Sequence, residues 1–237
     1  GKNHAKYFDK EGWLYFTKER FDLLYPSYGD TYPTYNGAIG MTYEQGGSGY
    51  AGLGIDSGLG DTLTLKDRLT HHYTSGLSTV EITSMNADKV VDEFTSYFKR
   101  NRESPSDKYK SYVIKEGNKD RVVKLLKWLD VQKIQYGSPS AKATLKGFDY
   151  NKNKEGSFNL STNDIVISSY QPKSTLVQAL FEPKSKLEDS VTYDITAWSV
   201  PFAYGLEAYA TSSKIATSTY TAGVVNKNSS EEKAYAY

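Results

Sequence analysis

The order of apolar and polar positions divides the chain into two stretches of different rhythm. Over residues 12–25, Leu14, Phe21 and Leu24, with Thr17 and Lys18 between them, recur at helical spacing until Pro26 ends the run. A turn-rich stretch follows over residues 25–33. Next comes Gly37-Ala38-Ile39-Gly40-Met41-Thr42-Tyr43, a short apolar run that reads as a buried strand with Glu44 at its carboxyl end. Residues 65–82 and 87–102 both carry helical periodicity and are expected to form an antiparallel pair. Val90, Val91, Phe94, Tyr97 and Phe98 mark the buried face of the second. A polar break over residues 101–108 places a boundary between a first domain, 1–104, and a second, 105–237.

Beyond the break, short strands alternate with helices. Residues 111–114 read as a strand, 119–129 as a helix whose Val122, Leu125, Leu126 and Leu129 share one face, and 131–136 as the next strand. This is the opening of a β-α-β unit, which predicts a parallel sheet with a right-handed crossover. Residues 143–149 and 157–160, joined by a turn at 151–156, suggest an inserted hairpin. Asp164-Ile165-Val166-Ile167-Ser168 is the clearest buried strand, and Pro172 can start a helix through Leu176 to Phe181. After Gly223 the chain is polar and rich in small residues, and no internal repeat is present. The fold class is therefore α/β.

Charge narrows the partners. Twenty-nine basic residues against 28 acidic ones leave a net charge of +1 on 237 residues, so charge gives no basis for a nucleic-acid groove or an anionic membrane surface. With no Cys there is no disulfide, no thiol nucleophile and no Cys-ligated zinc or iron–sulfur site. No apolar run approaches the roughly 18 residues of a membrane span. The chain opens at Gly1 without an initiator Met or signal peptide, so a processed chain or a segment is expected; a secreted or periplasmic parent is left open. Tyr is heavily used, 21 in all with eight in the first fifty positions; such rings line carbohydrate or peptide clefts and equally fill cores.

The catalytic inventory is thin. The histidines are His4, His71 and His72. Neighbours on a helix point about 100° apart, so the pair cannot close on one metal, and without a third convergent ligand the chain alone offers no zinc site. His4, in a polar N-terminal stretch, reads as structural or solvated. Seven glycines between Gly46 and Gly60 match neither G-x-G-x-x-G nor a Walker pattern, and Gly-x-Ser-x-Gly does not occur. Glu44 remains. A carboxylate desolvated at a strand end can act as a general base. A Glu capping a turn, or paired with Arg20 or Arg68, fits the same position, and the residues alone leave both readings open.

Residues 25–45, Tyr-Pro-Ser-Tyr-Gly-Asp-Thr-Tyr-Pro-Thr-Tyr-Asn-Gly-Ala-Ile-Gly-Met-Thr-Tyr-Glu-Gln, resemble the end of the catalytic domain in a subgroup of carboxypeptidase A-like zinc peptidases. The resemblance covers residues 5–104 and implies a mixed sheet sandwiched by helices. Through it Glu44 takes the role of general base and acid that activates a zinc-bound water and protonates the leaving amine. It also implies a substrate-covering Tyr, for which Tyr28 or Tyr25 qualifies, and a peptide or amino-acid-derived substrate. The family's H-x-x-E and later His zinc ligands, and its carboxylate-binding Arg and Asn, have no match here. Zinc would then belong to a parent protein whose preceding peptidase part carries the ligands. The second region is similar to the class I glutamine amidotransferase-like, flavodoxin-like parallel-sheet domain that follows the peptidase in this subgroup. The matching residues are 164–173, 180–183 and 193–201. The nucleophilic Cys and its His are missing, which implies a catalytically dead platform where Gln171, Asp194 and Trp198 line a groove, with packing as the other role of Trp198. A non-enzymatic module holding a glycan, a peptide or a protein is the alternative.

Overall fold

The computed structural model describes residues 1–17, 25–46, 54–58, 60–185 and 199–221. Helix α1 (Lys2–Glu11) stops at Gly12, whose φ of 68° is the left-handed cap that a residue without Cβ takes at little cost. That cap breaks the helical rhythm expected over residues 12–25: residues 13–17 carry no helix, and 18–24 lie outside the described residues. A single turn, α2 (Thr31–Thr34), precedes the residues expected as a buried strand. Residues 37–43 form no strand, and Ile39, Met41 and Tyr43 are exposed. A strand needs a neighbour for its amides and carbonyls, and the described residues place none beside this one.

Strands β1 (Gly54–Asp56) and β2 (Thr62–Thr64) make a small antiparallel ladder that leads into α3 (Leu65–Met85). Thr64 and Asp67 start this helix with a reciprocal capping box: Asp67 N donates to Thr64 Oγ1 at 3.2 Å and Thr64 N to Asp67 Oδ2 at 2.9 Å. Helix α4 (Ala87–Glu103) follows after Asn86 alone. Antiparallel helices need a loop of about 2 to 5 residues, so α3 and α4 do not fold back on one another and make little contact. None of the five residues expected on the buried face of α4 is fully buried. The partner of α3 is α1, antiparallel to it. Asn3 and Tyr7 each donate to Glu81 at 2.8 Å, and the Phe8 ring meets His71 at 5.6 Å.

The second region is a seven-stranded sheet under one layer of helices. In chain order its elements are β3 (Ser111–Ile114), α5 (Lys119–Gln132), β4 (Gly137–Pro139), β5 (Ala143–Asp149), β6 (Lys154–Leu160), β7 (Ile165–Ser168), α6 (Ser174–Phe181), α7 (Val200–Ala203), β8 (Ala208–Thr211) and β9 (Thr217–Thr219). The strands lie in the order β6-β5-β8-β3-β7-β4-β9, and every pairing is antiparallel. The parallel, flavodoxin-like sheet expected from the sequence is thus corrected, while the α/β class stands. The β-α-β rhythm was real, but the unit is split. Strands β3 and β4 run the same way, with β7 inserted antiparallel between them. Likewise β7 and β8 flank β3. The central order β8-β3-β7-β4 is the split β-α-β-β-α-β arrangement. To it the β5–β6 hairpin adds beside β8 and β9 adds beside β4. The strand expected over residues 131–136 is displaced because α5 continues to Gln132, turns at Lys133 with φ 57°, and strand pairing begins only at Gly137.

The core sits between sheet and helices. Leu125 and Leu129 of α5, and Leu176 and Phe181 of α6, pack on Tyr112, Ile114, Ile165 and Ile167 of the two central strands. Each fully buried Leu or Ile contributes about 1.5 to 3 kcal/mol. A smaller cluster of Val113, Phe158, Leu160, Val166 and Tyr209 covers the other face, where the Phe158 and Tyr209 rings stack at 4.3 Å. Residues of the first region dock on this body. Tyr35 packs against the main core, Tyr32 donates to Gln132 at 2.7 Å, and Asn101 donates to the Pro172 carbonyl at 3.0 Å. Among the described residues no helix is long and apolar enough to cross a membrane.

Candidate functional site

A tight crossing holds the segment that carries Glu44. Gly40 passes so close to Asp30 that a Cβ there would lie 2.0 Å from the Asp30 carbonyl oxygen. The Thr42 hydroxyl donates to the Asp30 carboxylate and holds that carboxyl below its ordinary range. Tyr43 then ties the segment to two helices: its hydroxyl lies 2.8 Å from His4 Nε2 of α1 and 2.9 Å from Thr79 Oγ1 of α3. His4 Nδ1 in turn lies 3.1 Å from Ser78 Oγ. On the next turns of α3, His71 is buried under Trp13, with ring centroids 4.6 Å apart, and its Nδ1 lies 3.2 Å from Gln45 Oε1. Burial pushes His71 below its ordinary value, against the opposing pull of the Asp67 carboxylate; burial likewise lowers His4.

These elements wall an open cleft of about 1350 Å³. Glu44 lines it, exposed, and no hydrogen bond or ion pair among the described residues engages its carboxylate. The strand end expected to desolvate it is absent, and Arg20, one of its candidate partners, lies outside the described residues. Leu14, Phe16, Ile39 and Met41 line the cleft with exposed apolar surface.

All three histidines, His4 and the adjacent His71 and His72, reach this one cleft. They are not thereby a metal centre. Both ring nitrogens of His4 and Nδ1 of His71 are taken by hydroxyl or amide partners. Among the described residues no group of three or more His, Asp or Glu is placed to hold a metal ion. The residues present do not fit zinc.

The other sequence-derived site residues lie elsewhere. Tyr25 and Tyr28 meet edge to face with ring centroids 5.1 Å apart, and neither lines the cleft. Gln171 is buried, and its side-chain amide is consumed by backbone: Oε1 accepts from Gln135 N at 2.7 Å, while Nε2 donates to the Gln135 and Ser168 carbonyls at 3.0 and 2.7 Å. It clamps the end of β7 to the loop after α5 and presents no group to a groove. Asp194 and Trp198 lie outside the described residues. Reading the sequence missed Trp13, Gln45 and Asp67 as cleft residues. The Thr64-x-x-Asp67 spacing before an apolar run was a usable signal for the last. Comparison with protein-family models, curated proteins and solved structures finds no significant match.

Proposed function

We propose that the chain is part of a zinc metallocarboxypeptidase-like protein that hydrolyses a peptide or amino-acid-derived amide bond, with Glu44 as its general base. The observation that supports this most is the exposed Glu44 carboxylate on the wall of a large cleft, engaged by no hydrogen bond or ion pair among the described residues. A carboxylate exposed to a cleft can take a proton from an attacking water and pass it to the departing amine. On this reading zinc would supply Lewis-acid chemistry and would be held by residues outside this chain, since those described do not fit it; the role given to Glu44 concerns the proton alone. Residues 105–237, whose sheet is antiparallel and not the parallel sheet of an amidotransferase, would then be a companion domain.

The decisive experiment is Glu44→Gln in the intact, zinc-loaded protein. The substitution keeps side-chain volume at an exposed position and touches no partner among the described residues, so stability should change by less than about 0.5 kcal/mol. Turnover should fall by about 10²- to 10⁴-fold. Hydrolysis within about tenfold of the parent rate would overturn the proposal. A second reading, a non-enzymatic module that holds a peptide, glycan or protein, is favoured by the exposed Leu14, Phe16, Ile39 and Met41 in the cleft. Under it Glu44→Gln leaves no turnover to lose, and peptide binding weakens instead on Phe16→Ser.

A further inference from the structure

A second cavity, of about 420 Å³, lies in the sheet region and shares no lining residue with the Glu44 cleft. Its floor is Asp107, buried where the chain enters β3. The Asp107 carboxylate accepts from the Tyr109 amide at 2.9 Å, from the Tyr112 hydroxyl, and from Ser169 Oγ at 3.3 Å. Glu182, just past the end of α6, supplies a second acid, and burial raises both carboxyls above their ordinary range. The walls are the rings of Tyr109 and Phe148. Over these rings stand cations at the rim, Lys108 Nζ 4.8 Å from the Tyr109 centroid and Lys184 Nζ 5.8 Å from that of Phe148. Lys108 also lies 3.8 Å from Glu155, whereas no ion pair among the described residues engages Glu182 or Lys184.

Among the described residues Glu182, which bonds to Ser185 and Gln178 but to no cation, and Lys184 and Lys154 thus bring unpaired charge of both signs to one small aromatic-walled cavity. A plain anion entering it would meet Glu182 above a buried Asp107, and a plain cation would meet the lysine rim. A neutral apolar molecule would strip water from both without replacing it. A ligand carrying both charges close together meets Glu182 and Lys184 at once. The volume falls at the small end of ligand pockets, which run from about 300 to 1,000 Å³. We infer that this cavity is a binding site for a free α-amino acid, its ammonium on Glu182, its carboxylate on Lys184, and its side chain against Tyr109 and Phe148. The site is independent of the peptidase reading, because it uses none of the residues around Glu44.

The test is an NMR titration of the full chain with L-phenylalanine. Two analogues accompany it: 3-phenylpropanoate, which lacks the ammonium, and 2-phenylethylamine, which lacks the carboxylate. L-Phenylalanine should shift resonances of Tyr109, Phe148 and Lys184 saturably, and each analogue should bind at least about tenfold more weakly, the value of one charge-assisted hydrogen bond. Glu182→Gln should bring the amino acid down to the affinity of 3-phenylpropanoate. Lys184→Met, at an exposed position whose one contact among the described residues is the Phe148 ring, should bring it to that of 2-phenylethylamine. Three ligands of equal affinity, no saturation by about 10 mM, or unchanged affinity in Lys184→Met would each overturn the assignment.

Discussion

Asp164, buried at the start of β7, accepts from Lys115 Nζ at 2.6 Å and from the Ser161 amide at 2.8 Å. Taking away one member of such a pair strands the other charge away from water, so Lys115→Met should cost about 3 kcal/mol in chemical denaturation. Lys6→Met, at the exposed Lys6–Glu81 pair, should cost less than about 1 kcal/mol. Equal losses at the two sites would show that the pair at β7 is not the anchor described. Asp107 and Glu182 link stability to pH. Their folded-state affinity for a proton is raised by burial, so the folded chain binds more protons than the unfolded one just above the ordinary carboxyl range. Their contribution to stability is complete below that range and is lost as pH rises through the raised values. Glu182→Gln should therefore flatten the fall in melting temperature between about pH 4 and pH 7, and an unchanged slope would contradict the assignment. At this scale the sequence was legible where chemistry forces a choice, as with the absent Cys, and the capping pair Thr64 and Asp67 left a signal that was not used. It misled where geometry decides. Gln171 looked like a groove residue because a polar side chain between β7 and α6 says nothing of its facing the Gln135 backbone.

The elements show the same division. Period was readable in α5, where Val122, Leu125, Leu126 and Leu129 are the buried face as expected. In α3 the period was readable, but it named no face. The buried positions are His71, Ser75 and Ser78, small or polar residues that let α1 approach and bond, while Leu69 and Tyr73 are 62 % and 68 % exposed. Hydropathy marks a stripe without saying what lies across from it. The strand neighbours, too, were beyond local pattern, since β-α-β spacing is equally served by adjacent parallel strands and by two separated by an antiparallel one. The α1–α3 contact carries its own prediction. Burial holds His71 and His4 below their ordinary value, so they are neutral in the fold and charge more readily when α1 leaves α3. The stabilisation is therefore complete above about pH 6.5 and is lost as pH falls through the lowered folded values. Trp13, 4.6 Å from His71, reports it. Its fluorescence should change on acidification below about pH 6.5 before the sheet region unfolds, and His71→Gln should remove most of that early change. A single transition shared with the sheet would sink this account.

Across the whole molecule, buried apolar side chains are unevenly shared. Among the described residues the first region contributes Phe8 alone, and every other buried hydrophobic residue lies at or beyond Tyr112. The long helices α3 and α4 instead carry exposed Leu69, Tyr73, Leu77, Val80, Val91 and Phe94. Since burial of apolar area is the dominant stabilising term, the free energy of opening should differ between the two parts. Amides of β3, β7 and α5 sit in the core and should exchange with deuterium only through global unfolding. Those of α3 and α4 should exchange through local opening at a free energy lower by several kcal/mol, roughly the value of two or three buried Leu side chains. The link between the parts is polar and narrow. Tyr32, Asn36, Asn101 and Tyr35 reach the second region through Gln132, Lys173, the Pro172 carbonyl and the edge of its core. Asn101→Ala removes one of these ties, leaving the Pro172 carbonyl without its donor and Thr175 Oγ1 without its 3.2 Å partner. It should speed exchange in α4 and leave β3 and β7 unchanged, because their protection is set by a core that Asn101 does not enter. Uniform protection across α3, α4 and the central strands, or a loss at β3 equal to that in α4 on Asn101→Ala, would mean that the chain folds as one cooperative unit and that the first region is stabilised by more than its visible packing.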